Sequence, residues 1–187
     1  MTTAGSSIRS TAEAQRVRIT DSAVHVFAQK GYHATPVAEV ATAAGVSPAY
    51  VFRLFDGKLG LFVAAVADTY ARVERALVAA GDASPADGPT GRLDAMTLAY
   101  VELIADRDLI MLQSHAQSAS SVPEIGAAVR DGLADVVRSV SKVSGAEPAA
   151  VQRFIAYGQL CHLIVQTDLD TVDAAWARAI TDGIRHR

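Results

Sequence analysis

Ser47, Tyr50 and Arg53 fall within seven residues of one another, a hydroxyl, a phenol and a guanidinium that can hold an anion or a base edge but are poorly placed to break a bond. Donors of these types suit hydrogen bonding to phosphate oxygens and to the edges of bases. The patterns that would carry catalysis are missing from the sequence. It has no nucleophile elbow, no phosphate-cradling glycine loop and no metal-binding helix pair. His115 and His162 are too isolated to argue a metal, and the single Cys161 permits neither an internal disulfide nor a cysteine cage. The expected chemistry is therefore binding, with no enzyme activity, no cofactor and no metal.

The elements that would position these residues are short helices. Apolar periodicity is helical nearly everywhere and alternating strand patterns are absent, so the fold class expected is all-α. A first helix is read from about Thr11 to Lys30, with Ile19, Ala23, Val26 and Phe27 on one face and Gly31 placed for a left-handed cap. Thr35 then reads as an N-cap before Pro36, opening a second helix to about Ala44. Gly45 ends it, and Ser47 with Pro48 repeats the cap-then-proline signature for a third helix to about Leu54. Small Ala41 lets the two helices approach, and Val40, Val46, Val51 and Leu54 are expected as the buried seam. Ser47, Pro48, Ala49, Tyr50 and Arg53 are left outside, on the part of a helix-turn-helix that enters a major groove. On spacing alone, the same stretch also fits an ordinary helical hairpin in which Gly45 is merely a cap.

The flanks point one way. Gly31-Tyr32, Thr35, Val40-Ala41, Ala44-Gly45-Val46-Ser47, Phe55, and Lys58 followed by Leu61-Phe62 stand in the order and spacing of the TetR family of bacterial regulators, which the chain resembles from about Gln15 to Phe62. It departs from that pattern at Phe52 and Leu54, where tyrosines are common, and at Gly57 and Leu59, where a serine and an acidic residue are common. The resemblance implies a DNA-binding regulator, typically a repressor released by a ligand. It assigns base-edge or backbone contact to Tyr50 and Arg53 and phosphate contact to Ser47, Thr35 and Lys58. Lys58 also opens a fourth helix, whose N-terminus attracts anions.

Composition agrees with two small domains. Half of the 187 residues are hydrophobic, enough for a core. The net charge of −3 hides an asymmetry: residues 1–60 hold 6 Lys or Arg against 4 Asp or Glu, and residues 61–187 hold 11 against 16. A mildly basic N-terminal piece on an acidic remainder suggests that only the first meets phosphate. We read residues 1–57 as the helix-turn-helix domain and 58–187 as a helical effector-binding and dimerisation domain, about nine helices in all.

The fourth helix, to about Ala80, places Phe62, Val66, Tyr70, Val73 and Leu77 on one stripe, and a linker is read at Asp82 to Gly91. Further helices are placed at about 91–105, 107–119, 122–144, 148–167 and 170–184. From the resemblance, the effector cavity is expected to draw on Phe62, Val66, Tyr70, Met96, Tyr100, Met111, His115, Tyr157 and His162, although packing is the ordinary role of such residues. A homodimer is expected through residues of about 148–184, with Val151, Phe154, Ile155, Gly158, His162 and Val165 forming one stripe and Val172, Ala175, Trp176 and Ala179 the other. The expected partners are a double-stranded operator, a small-molecule effector and a second copy. Apolar runs such as Phe154 to Val165 are too short to span a bilayer, and the N-terminus lacks a signal-peptide core, so a cytoplasmic place is expected.

Overall fold

The structure, a computed structural model, describes residues 4–84 and 88–184, with side chains from residue 12 onward. Among the described residues there are nine α-helices and no strand. In order they are α1 (Ala4–Ala34), α2 (Val37–Ala43), α3 (Pro48–Phe55), α4 (Gly57–Ala83), α5 (Pro89–Leu103), α6 (Arg107–Ser118), α7 (Pro123–Ser144), α8 (Pro148–Gln166) and α9 (Ala175–Thr181). The all-α class holds. The chain divides into two compact units, one running up to Thr69 and including Leu112–Val129, the other holding Tyr70–Met111 and the chain from Arg130 onward.

In the first unit, α1 buries Ile19, Ala23, Val24, Phe27 and Ala28. Val26, expected on this face, is only half-buried. Val40 and Ala41 of α2, Val51 and Phe55 of α3, and Leu61, Phe62, Ala65 and Val66 of α4 complete the core. Phe62 meets Phe27 edge-on at 4.9 Å between ring centroids and Tyr32 at 5.1 Å. Edge-on aromatic pairs of this kind add directional stability to the area they bury. Val46 and Leu54, expected in the seam, are half-buried, and Phe55 takes the deeper place.

The helix ends show why the turn forms. After α2, the Val46 N–H donates to the Ala41 carbonyl at 2.9 Å and the Gly45 N–H to Thr42 at 3.1 Å. These are the two bonds of a Schellman turn, and Gly45 sits at its left-handed position with φ +65°. Ser47 caps α3, its hydroxyl accepting from the Tyr50 N–H at 3.2 Å with Pro48 in the first turn. Thr35 does not cap α2. Pro36 holds the cap position with no side-chain bond, while the buried Thr35 hydroxyl donates back to the Gly31 carbonyl at 2.8 Å. Gly31 itself has φ +71° but ψ −176°, an extended glycine conformation rather than the left-handed cap expected.

In the second unit, the α4 positions Tyr70, Val73 and Leu77 are buried, as the helical stripe requires. Ile104, Ile110, Cys161, Ile164, Leu169 and Ile184 form one core cluster, with Tyr100, Tyr157 and Ile180 packed against it. The linker is shorter than expected, since helix continues to Ala83 and resumes at Pro89; residues 85–87 lie outside the described residues. The last expected helix, 170–184, is broken. A 3-10 turn covers Leu169–Thr171, entered through Asp168 in the left-handed conformation, and the extended Val172 and Ala174 separate it from the seven-residue α9. The Thr171 hydroxyl donates to the Asp168 carbonyl at 2.7 Å, a local bond that competes with helix.

Gly31 and Gly45 separate two costs of adding a side chain. A Cβ at Gly45 meets nothing within 4 Å, whereas one at Gly31 lies 2.8 Å from Nδ1 of His115. Gly45→Ala should therefore destabilise by roughly 1 kcal/mol through backbone strain alone. Gly31→Ala should cost more, about 2–3 kcal/mol, because its backbone region is nearly closed to other residues and the imidazole must move. Urea unfolding of the two variants should show that order; equal losses would mean that His115 is not held against Gly31.

Candidate functional site

The exposed side of α3 follows from what the helix buries. Val51 and Phe55 point into the core, so Ser47, Pro48, Ala49 and Arg53 are exposed and Tyr50 is half-buried at the edge. The Arg53 guanidinium lies 5.3 Å from the centre of the Tyr50 ring, close enough for a cation–π contact. A shallow polar depression lined by Gln15, Arg18, Gly45, Val46, Ser47 and Tyr50 opens beside the start of the helix. Arg18 is exposed there and donates to Gln15 at 2.7 Å.

Two residues expected at phosphates are placed differently. Thr35 is fully buried with its hydroxyl committed to Gly31, so its side chain holds the α1–α2 junction and has none of its surface free for a phosphate. Lys58 is half-buried, donates to the His33 carbonyl at 3.2 Å and lies 5.0 Å from the centre of the Tyr32 ring. Its pKa is lowered by this burial. An ammonium has three donors, so one such bond still leaves Lys58 able to reach an anion.

Sequence reasoning missed Arg16 and Phe52. Arg16 donates to the Leu54 carbonyl at 2.8 Å, and its guanidinium lies 4.5 Å from the centre of the Phe55 ring. It thus places a cation at the C-terminal end of α3, where the helix dipole favours one. Nothing local in the sequence signals this pair, because 38 residues separate its members. Phe52 is 50% exposed, which follows from its position on α3 once Val51 and Phe55 face inward.

The residues expected around an effector are divided between the units. Phe62 and Val66 are fully buried in the first, as described, and His115 lies there against Gly31, with its Nε2 buried and without a partner among the described residues. In the second unit Tyr100 and His162 come together, their rings stacked at 6.0 Å and the tyrosine hydroxyl hydrogen-bonded to Nε2 of the histidine. Tyr157 packs on the same cluster. Tyr70 and Met96 face other surfaces, Tyr70 against Gly132 and Met96 against Gly81, and Met111 is half-buried.

His162 is 4% exposed, and its Nδ1 has no hydrogen-bond partner among the described residues. Burial pushes its pKa down to about 4, raises that of Tyr100 out of the physiological range and raises that of Cys161 to about 11. These groups are all neutral near pH 7. Separately, an open, mostly apolar groove of about 390 Å³ lies between α7 and α8, lined by Val137, Ser141, Ala146, Pro148, Val151, Gln152 and Ile155. None of the nine residues expected at the effector lines it. No group of His, Cys, Asp and Glu among the described residues could hold a metal ion, and no described helix is long and apolar enough to cross a membrane.

A capped turn between two short helices, with a donor-bearing outer face on the second, defines a helix-turn-helix domain. Residues 19–65 match the family model described as bacterial regulatory proteins, tetR family, and this segment belongs to that family. The whole fold is similar to solved regulators of the family. A TetR family transcription regulator from Marinobacter aquaeolei VT8 shares 22% identity, with 92% of this chain and 95% of that one covered and a TM-score of 0.63. The fatty acid degradation regulator FadR from Bacillus halodurans shares 18%, with 92% and 97% covered and a TM-score of 0.69. FadR from Bacillus subtilis, solved in complex with stearoyl-CoA, also shares 18%, with 88% and 94% covered and a TM-score of 0.70. No curated protein matches the chain in sequence. The segment and the fold together support a DNA-binding transcriptional regulator.

Burial of neutral His162 predicts an acid-side loss of stability. Its folded pKa of about 4 lies below the unfolded value of 6.5, so the unfolded chain binds the proton more tightly. The full contribution is present above about pH 6.5 and is lost as pH falls toward 4, by roughly 3 kcal/mol across the window. His162→Gln should flatten the pH dependence of unfolding in that range. An unchanged slope would assign the loss to other groups.

Proposed function

We propose that this chain is a homodimeric repressor that binds an inverted-repeat operator and is released from it by a small apolar or amphipathic effector. The observation that carries the reading is the outer face of α3, where Ser47, Pro48, Ala49 and Arg53 are exposed beside Tyr50 within the family segment. In this reading residues 1–57 bind DNA, and residues 58–187 bind the effector and form the dimer. The protein acts by binding, without catalysis.

Each α3 would enter a major groove, and a two-fold dimer would set the grooves about 34–36 Å apart or a multiple of that. Arg53 and Tyr50 contact base edges or the adjacent backbone, and Ser47 and Lys58 contact phosphates. Arg53→Ala should cost roughly 1–3 kcal/mol if the guanidinium reads a guanine. Lys58→Ala should weaken all sequences about equally and reduce the salt slope by about one. Binding to duplexes selected from a randomised library tests this. Retention that is weak, salt-sensitive and indifferent to sequence would leave only a helical binding module.

The dimer surface differs in detail from the stripe read in the sequence. Val151 and His162 face inward, and Val165 packs on the core, so that stripe belongs to the interior of the unit. The outward face of α8 is instead Gln152, Ala156, Gln159, Leu163 and Thr167, exposed and free of charge. Val172 and Trp176 are exposed nearby in sequence, Trp176 by 58%. Uncharged exposed faces of this kind favour a second copy over solvent. Leu163→Glu together with Trp176→Glu should shift sedimentation from dimer to monomer at micromolar concentration. An unchanged dimer would move the interface elsewhere.

The neutral set Tyr100, His162 and Cys161 supports an effector that is uncharged where it meets this core. Stearoyl-CoA bound to the Bacillus subtilis protein is an amphipathic ligand of a similar fold. The effector would lower DNA affinity by a coupling energy of roughly 1–3 kcal/mol, and linkage makes the effect reciprocal. Equal affinity of an inducer for free and operator-bound protein, measured by calorimetry, would remove the coupling.

A further inference from the structure

We propose that Phe52 reads thymine methyl groups in the major groove, and so helps to set the sequence that the DNA-contacting face prefers. The inference rests on the DNA-binding reading above. Phe52 is half exposed on α3, one residue before Arg53, and its ring takes part in no aromatic or cation–π pair among the described residues. Beside it lies Gly57, where even an added Cβ would reach the ring edge only at 3.9 Å, so the flank of the ring is open.

Pro48, Ala49 and Phe52 stand three and four residues apart, and all three are exposed. On a helix that spacing makes one strip. The outer side of α3 therefore carries an apolar edge alongside the donors of Ser47, Tyr50 and Arg53. A tyrosine here would have a hydroxyl to give to a phosphate, but phenylalanine has none. Among the groups that base pairs present in the major groove, the thymine C5-methyl is the one that rewards an apolar contact. An aromatic ring held at the edge of a reading helix is thus matched to a methyl group, while Arg53 beside it is matched to acceptors.

Deoxyuridine isolates this contact, since it lacks only the methyl. Duplexes are first selected from a randomised library with the full-length protein, and each thymine of the selected site is then replaced singly by deoxyuridine. One thymine per half-site should lose wild-type affinity on the order of fourfold, the value of one buried methyl-sized group. Phe52→Ala should weaken the all-thymine duplex by a similar factor and be indifferent to that same replacement, while Phe52→Tyr, which keeps the ring, should retain the sensitivity. Circular dichroism checks that the exposed substitutions leave the helices intact. Equal losses in wild type and Phe52→Ala, or no loss at any thymine, would overturn the role of Phe52 and leave DNA binding standing. Enrichment of no sequence by the wild type would overturn both.

Discussion

An eight-residue helix has no stability of its own, so everything α3 presents outward depends on how its two ends are fixed. At its start, the Schellman turn through Gly45 brings Val46 under α2, and Ser47 then satisfies the Tyr50 N–H. At its end, Arg16 of α1 binds the Leu54 carbonyl and covers the Phe55 ring. Asp56 then turns left-handed to begin α4. Between these anchors only Val51 and Phe55 are buried deeply, which fixes the rotation of the helix about its axis. That rotation decides that Arg53 and Phe52 face out.

The local half of this arrangement was legible in the sequence and the distant half was not. Caps and prolines act within four residues, so Ser47-Pro48 announced α3 and Gly45 announced the turn. Arg16 acts across 38 residues, and its role is created only when α1 folds over the end of α3. Thr35 shows the opposite error. Its type and its place before Pro36 are those of a cap, yet the extended glycine at position 31 exposes a carbonyl to its hydroxyl, and the bond back to Gly31 wins.

Periodicity misled in the second unit for a related reason. It finds a face, but it does not say which face is the core when both lack charge. In α8 the only charged side chain is Arg153, so the inward stripe through Val151 and His162 and the outward one through Gln152, Gln159 and Leu163 look equally plausible as surfaces. Beyond α8 the helical pattern continued on paper through Thr171 and Val172, but β-branched residues and the Thr171 hydroxyl favour the observed turn. Short-range bonds to backbone outweighed an apolar period that had no core to meet, since Val172 and Trp176 both remain exposed.

Charge adds a constraint on how specificity can arise. With an excess of five acidic side chains after residue 60, most of the chain is repelled by a polyanion, and the small positive excess before it cannot supply strong sequence-independent binding. Two of the N-terminal cations are also occupied within the fold, Arg16 by Leu54 and Lys30 by Glu39 at 2.9 Å. A reader with so little charge to spare must derive more of its affinity from complementarity at the base edges. That places weight on the shape and chemistry of α3 itself, where a guanidinium, a phenol and an exposed phenyl ring stand within four residues of one another.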